Sequence, residues 1–155
     1  MSTPSPSPSP APGRGARIAI ATGRILFGLL FLMAGTVNLL MVLKVMAEKN
    51  NGLPPDALAF VTALQQSGYM MGLIAATQLI VGLLLVVNRS VPLALALIAP
   101  FMVNSVCFHL FLERGGLVPS LVITAVMFAL AWAYRGSFAP MLASRVRPGD
   151  RWTRG

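Results

Sequence analysis

The chain has 155 residues, of which 56% are hydrophobic and only 10% charged, and its formal net charge is +8. Soluble domains carry about a quarter charged residues, and a soluble core of this size has no room for so much apolar side chain. Composition therefore excludes an ordinary water-soluble fold and makes lipid the expected solvent, in keeping with a mean hydropathy of +0.77.

The first segment, "MSTPSPSPSPAPGRG", is rich in proline and serine, so residues 1–16 are expected to be a disordered tail. Residues 25–43 follow as an apolar block between Arg24 and Lys44. The block is longer than the apolar core of a signal peptide and no small-x-small cleavage site follows it, so it is expected to be a membrane span. Three further blocks, 69–87, 91–112 and 117–134, have similar length. A helix needs about 20 residues to cross about 30 Å of hydrocarbon. None of the blocks alternates as a barrel strand does, so each is expected to be a helix. The expected fold is an all-α membrane protein, a bundle of four transmembrane helices.

The longest connection, 44–68, contains "PDALAFVTALQQSG". Pro54 and Pro55 open it, Asp56 lies in its first turn, positions 58, 60, 61 and 64 are apolar, and Gly68 closes it. That pattern predicts a short external amphipathic helix between the first and second spans, lying at the outer interface.

Four spans place nine of the twelve basic residues on one side: Arg14, Arg17, Arg24, Arg89, Arg135, Arg145, Arg147, Arg151 and Arg154. Lys44, Lys49 and Arg114 fall on the other. The positive-inside rule then puts both termini in the cytoplasm. Trp132 and Tyr134 before Arg135 read as an inner-interface belt, Arg24 as a snorkelling anchor at the same level, and residues 143–155 as a basic tail lying against anionic lipid. This use of the positive charge leaves little for nucleic acid.

Polar residues inside the spans are the candidate functional groups. In the first helix Arg24, Gly28, Phe31, Gly35 and Asn38 share one stripe, whose glycines permit close helix approach. In the second, Gly72, Ala75, Leu79 and Gly82 form a small-residue face flanked by Gln78. In the third, which also contains Pro100, Ser105, His109 and Glu113 share a face, with Asn104 beside it. Asn38, Gln78, Asn104, His109 and Glu113 would therefore meet in one layer between the bundle centre and the outer face. That layer is either a set of interhelical hydrogen bonds or a polar pocket for a quinone head group, a small redox molecule or a proton, with His109 and Glu113 as a proton pair. Cys107 is the only cysteine, which excludes an intrachain disulfide and a cysteine-held cluster. Haem within one chain is disfavoured because there is no second histidine, and no metal site is expected. The nine methionines read as packing. No phosphate loop, nucleophile triad or paired carboxylate appears.

"GRILFGLLFLMAGTVNLL" at 23–40, the run 57–104, "FHLFLE" at 108–113 and "AWAYRGSFAPML" at 131–142 together resemble the DoxX family of small four-helix bacterial inner-membrane proteins. The resemblance runs from about Arg24 to Leu142 and implies a membrane domain over 17–142. Related DoxD-type proteins are membrane subunits of thiosulfate:quinone oxidoreductase, and DoxX proteins are linked to membrane complexes handling thiol or oxidative stress. The resemblance thus implies a quinone-facing or accessory subunit of such a complex in the bacterial inner membrane, partnered by lipid, an oxidoreductase subunit or a second copy. It carries no catalytic residue set to this chain, and many relatives have glutamate where this chain has Gln78. The alternative class is a non-catalytic membrane scaffold or small-molecule carrier. The sequence leaves open whether the chain is itself an enzyme.

Overall fold

The computed structural model describes residues 13–46 and 52–138. The predicted tail up to residue 12, Lys49 with its neighbours, and the basic tail 143–155 lie outside these residues. Among the described residues every element is helical: α1 (Arg14–Val42), α2 (Pro55–Gln66), α3 (Met70–Val86), α4 (Val91–Phe111), a 3₁₀ turn (Arg114–Gly116), α5 (Leu117–Ala133) and α6 (Arg135–Phe138). The α1 helix starts eleven residues before the apolar block, so Arg14, Gly15 and Ala16, expected in the tail, are helical.

The four long helices close into a ring, in which α1 packs on α3 and α5, and α4 packs on α3 and α5. Sequential neighbours run antiparallel. Gly28 faces Gly82 and Leu85, whereas Gly35, a turn or two further on, faces Ala75 and Leu79, so α3 descends as α1 rises. Both ends of that hairpin stop in the same way. Lys44 and Asn88 adopt the left-handed conformation, with φ of 57° at each. The following amides, Val45 and Arg89, then reach back to Leu40 and Leu84 carbonyls at 2.9 Å. These bonds satisfy carbonyls that a helix end otherwise leaves bare.

The α1–α3 contact is the closest in the bundle because it is made of glycine. A Cβ on Gly82 would lie 2.7 Å from the Gly28 carbonyl oxygen and 2.7 Å from the Leu32 nitrogen. A Cβ on Gly35 would lie 2.9 Å from the Leu79 nitrogen. In lipid, where burial of apolar surface gives helices little reason to associate, such backbone approach maximises dispersion contact. Gly72, which the sequence pattern put on the same seam, meets nothing within 4 Å and lies beyond it. The core beneath the seam holds Phe27, Phe31, Val81, Leu85, Leu95, Ile98, Met102, Met127 and Leu130. Phe31 sits edge-on to both Phe27 and Phe101, with ring centroids 4.9 and 6.2 Å away.

The outward faces are as apolar as the core. Leu26, Met33, Val103, Phe111, Val118, Phe128 and Trp132 are each more than 60% exposed. Water would not tolerate that surface, and a bilayer requires it. By length and composition α1, α4 and the stretch Arg114–Ala133 can each cross a membrane, making three, or four if α2 and α3 count as one bent span. Alone, the 17 residues of α3 reach only about 26 Å. The α2 and α3 axes meet at 87°, so α2 lies across the end of the ring. Gly68, φ 78°, makes the corner between them. Ala57 is fully buried and the Phe60 ring packs at a tilt against Phe108, 5.8 Å between centroids, which holds α2 down.

Candidate functional site

The sequence placed five polar side chains in one layer, and the fold distributes them over three places. The first is the α1–α3 seam. Asn38 Nδ2 donates to Gln78 Oε1 at 2.8 Å. Gln78 is buried, at 2% exposure, so this bond satisfies a carboxamide that has no access to water or lipid headgroups. A matching hydroxyl pair joins the other side of the ring, Ser105 Oγ to Ser120 Oγ at 3.2 Å. Ser120 is buried within an apolar run and carried no periodic signal to announce it.

The second place is the α4–α5 corner. His109 Nδ1 donates to Glu113 Oε2 at 2.8 Å. The same carboxylate accepts from Gly115 N at 2.5 Å and Gly116 N at 2.9 Å. Glu113 thereby caps the 3₁₀ turn that leads into α5, a role that its spacing from His109 did not reveal. Gly116 is required here, because a Cβ would collide with the His109 ring. The Gly116 amide is the main reason that the Glu113 carboxyl titrates below 4.5; burial opposes this, and the Gly115 amide and His109 add to it. His109 also stands edge-on to Phe108, 5.2 Å between centroids, so it is one ring removed from Phe60 on α2. The pair is a built corner, with the histidine holding the capping carboxylate.

Asn104 occupies the third place. It points away from both clusters and is exposed. It lines a groove of about 480 Å³ roofed by Phe60 and Leu64 of α2 and walled by Met70, Ile74 and Thr77 of α3 and by Pro100 and Phe101 of α4. Its amide has no hydrogen-bond partner among the described residues. By helical rise it lies about 10 Å below the end of α4, at hydrocarbon depth for a helix that crosses a membrane.

At the opposite end of the ring, Arg24 is 6% exposed and turns inward rather than snorkelling out as its position suggested. Its Nη1 donates to the Leu85 carbonyl and, at 3.4 Å, to that of Val86, which are among the last carbonyls of α3. Its Nε is buried without a partner. Arg24 therefore acts as a cap on α3, where a cation also complements the helix dipole. Trp132 and Arg135 lie at the surface, where the guanidinium sits 5.0 Å over the indole and bonds the Trp132 carbonyl at 3.2 Å. Tyr134 packs inward against the core.

Among the described residues no group of three or more His, Cys, Asp or Glu side chains comes together in a way that could hold a metal. No family model, no curated protein and no solved structure matches the chain.

Proposed function

We propose that the chain is a four-span, DoxX-like protein of the bacterial inner membrane that binds a quinone as the membrane subunit of a redox complex. One observation carries the quinone reading: the unpartnered Asn104 amide in the groove beneath α2. A carboxamide facing hydrocarbon without a partner is costly, and a ligand carbonyl relieves it. The walls suit a flat ring with an apolar tail, since they are aromatic and aliphatic apart from Asn104 and Thr77. The polar pairs at Asn38–Gln78 and Ser105–Ser120 serve as helix glue, and His109 with Glu113 serves the corner.

Four spans follow if α3 crosses with help from the α2 corner. Arg14, Arg17, Arg24, Arg89 and Arg135 then share the cytoplasmic side by the positive-inside rule. A chain of this build works within the bilayer and needs a partner for any electron donor.

The test is titration of a short-chain benzoquinone analogue into the protein in lipid nanodiscs. Wild type should bind, Asn104→Leu should bind at least ten-fold more weakly, and His109→Ala should bind nearly as well as wild type. Absence of binding to wild type would overturn the quinone reading and leave the second one, a non-catalytic scaffold or carrier. A mild-detergent pull-down bears on the partner: recovery of an oxidoreductase subunit supports a redox complex, whereas substrate flux into liposomes holding this chain alone supports a carrier.

A further inference from the structure

A separate groove, on the outside of the bundle, is lined by apolar side chains and by one cation. It measures about 360 Å³ and is formed by Phe128, Ala131 and Trp132 of α5 with Arg135 and Phe138 of α6. Phe128, Ala131 and Trp132 are three and four residues apart, so they share one face of α5. Ala131 and Phe138 are half-buried against the core, whereas Phe128 and Trp132 are 63% and 71% exposed. The groove thus leads from the edge of the core to the apolar surface, with the small Ala131 side chain between larger ones.

Arg135 has no carboxylate partner among the described residues. The acids among those residues are Asp56 and Glu113, and both lie at the other end of the ring. Glu113 precedes α5 and Arg135 follows it, so the length of that helix, about 26 Å, separates them. A guanidinium presents five N–H donors in a planar fork. One of them, on Nη1, goes to the Trp132 carbonyl, and the cation rests 5.0 Å from the centre of the Trp132 ring. These contacts hold the fork in place, and its other four donors have no acceptor among the described residues. The stretch Arg114–Ala133 is long and apolar enough to cross a membrane. When it does, Arg135 stands two residues past its end, at the level of the lipid headgroups.

We infer that this groove binds an anionic phospholipid, whose phosphate pairs with the Arg135 guanidinium while an acyl chain lies along Phe128, Ala131 and Trp132. Charge complementarity selects the head, since Arg135 is a cation that the fold leaves without a counter-charge, and guanidinium matches phosphate geometry. The apolar walls select a lipid over a free phosphate, which would leave them uncovered. A zwitterionic lipid brings its own cation and competes poorly. The site shares no residue with the groove beneath α2 and is independent of the quinone reading.

Trp132 reports on the groove directly. Trp152→Phe leaves it as the sole tryptophan, and its fluorescence in mixed micelles is then titrated with phosphatidylglycerol or phosphatidylcholine, each brominated on the acyl chains. Bromine quenches only at close range. Phosphatidylglycerol should quench at about five-fold lower mole fraction, the worth of one basic residue facing an anionic headgroup. Arg135→Gln, a surface change, should bring the two lipids to the same half-quenching point. Inorganic phosphate should relieve quenching no more than chloride at equal ionic strength. Equal quenching by the two lipids in the Arg135 protein would overturn the inference, as expected if Trp132 merely meets bulk lipid. A preference undiminished in Arg135→Gln would also overturn it, by assigning the selectivity to other basic residues. Specific relief by inorganic phosphate would overturn the lipid assignment, because the guanidinium would then hold phosphate without a chain.

Discussion

The α1–α3 seam makes the sharpest prediction, because its geometry depends on the absence of single methyl groups. In Gly82→Ala the new Cβ meets two backbone atoms at 2.7 Å and Leu32 Cγ at 2.8 Å. Backbone cannot step aside as a flexible side chain can, and ordinary contact begins at 3.4 Å. The helices must therefore part by about 1 Å, which forfeits a quarter to a half of the dispersion well along the seam. Overpacking of this kind costs about 1–3 kcal/mol. Separation also stretches the Asn38–Gln78 bond and pulls Arg24 off the α3 carbonyls. Against this, alanine gains up to about 1 kcal/mol of helix propensity over glycine. The expected net loss is about 2 kcal/mol. Gly72→Ala is the matched control, made in the same helix where a Cβ meets nothing within 4 Å. It should gain up to about 1 kcal/mol, so the two variants should differ by about 3 kcal/mol. The assay is loss of helicity by circular dichroism as SDS replaces dodecyl maltoside in mixed micelles. If Gly82→Ala lay within about 0.5 kcal/mol of Gly72→Ala, the close-approach account of the seam would be refuted.

Other consequences follow from the paired polar groups. Asn38→Leu strands the buried Gln78 carboxamide and should cost about 1–2 kcal/mol in the same assay, whereas Asn38→Leu with Gln78→Leu should recover part of the loss; a double variant worse than the single would argue against the pairing. Arg24→Met uncovers the last carbonyls of α3 and should cost about 2 kcal/mol, with Arg24→Lys recovering some of it. Glu113 is held below its ordinary value of 4.5, so its contribution is complete above that pH and is lost as the pH falls through the lowered value. Thermal melts in detergent from pH 7 to 3 should therefore show wild type losing stability below 4.5 and Glu113→Gln changing little there; parallel curves would mean that the carboxylate does not cap the 3₁₀ turn before α5.

The sequence by itself pointed to lipid as the solvent and to an all-helical chain, in which three helices, or four if α2 and α3 form one bent span, are long and apolar enough to cross a membrane. Apolar runs of about twenty residues leave the backbone no choice in lipid but to bond within helices, so each apolar block is helical, although α1 begins eleven residues before its block. The corner helix was legible for the same local reason, through its prolines, Asp56 and Gly68. The inward stripe Arg24, Gly28, Phe31, Gly35 and Asn38 was also readable, since it needs only a helical repeat and the rule that small residues mark close approach. What the sequence left undecided was which polar groups meet. Asn38 and Gln78 pair because α1 and α3 run antiparallel in one register. Asn104 turns outward because the ring closes on Leu95, Ile98 and Met102 instead. His109 and Glu113 face each other in any helical reading, yet the capping of the 3₁₀ turn appears only when the chain turns at Gly115 and Gly116. Periodicity fixes the face of a helix on which a residue lies. Only the packing of several helices fixes what that face touches, and here it paired four of the five candidate side chains and left Asn104 lining the groove without a partner among the described residues.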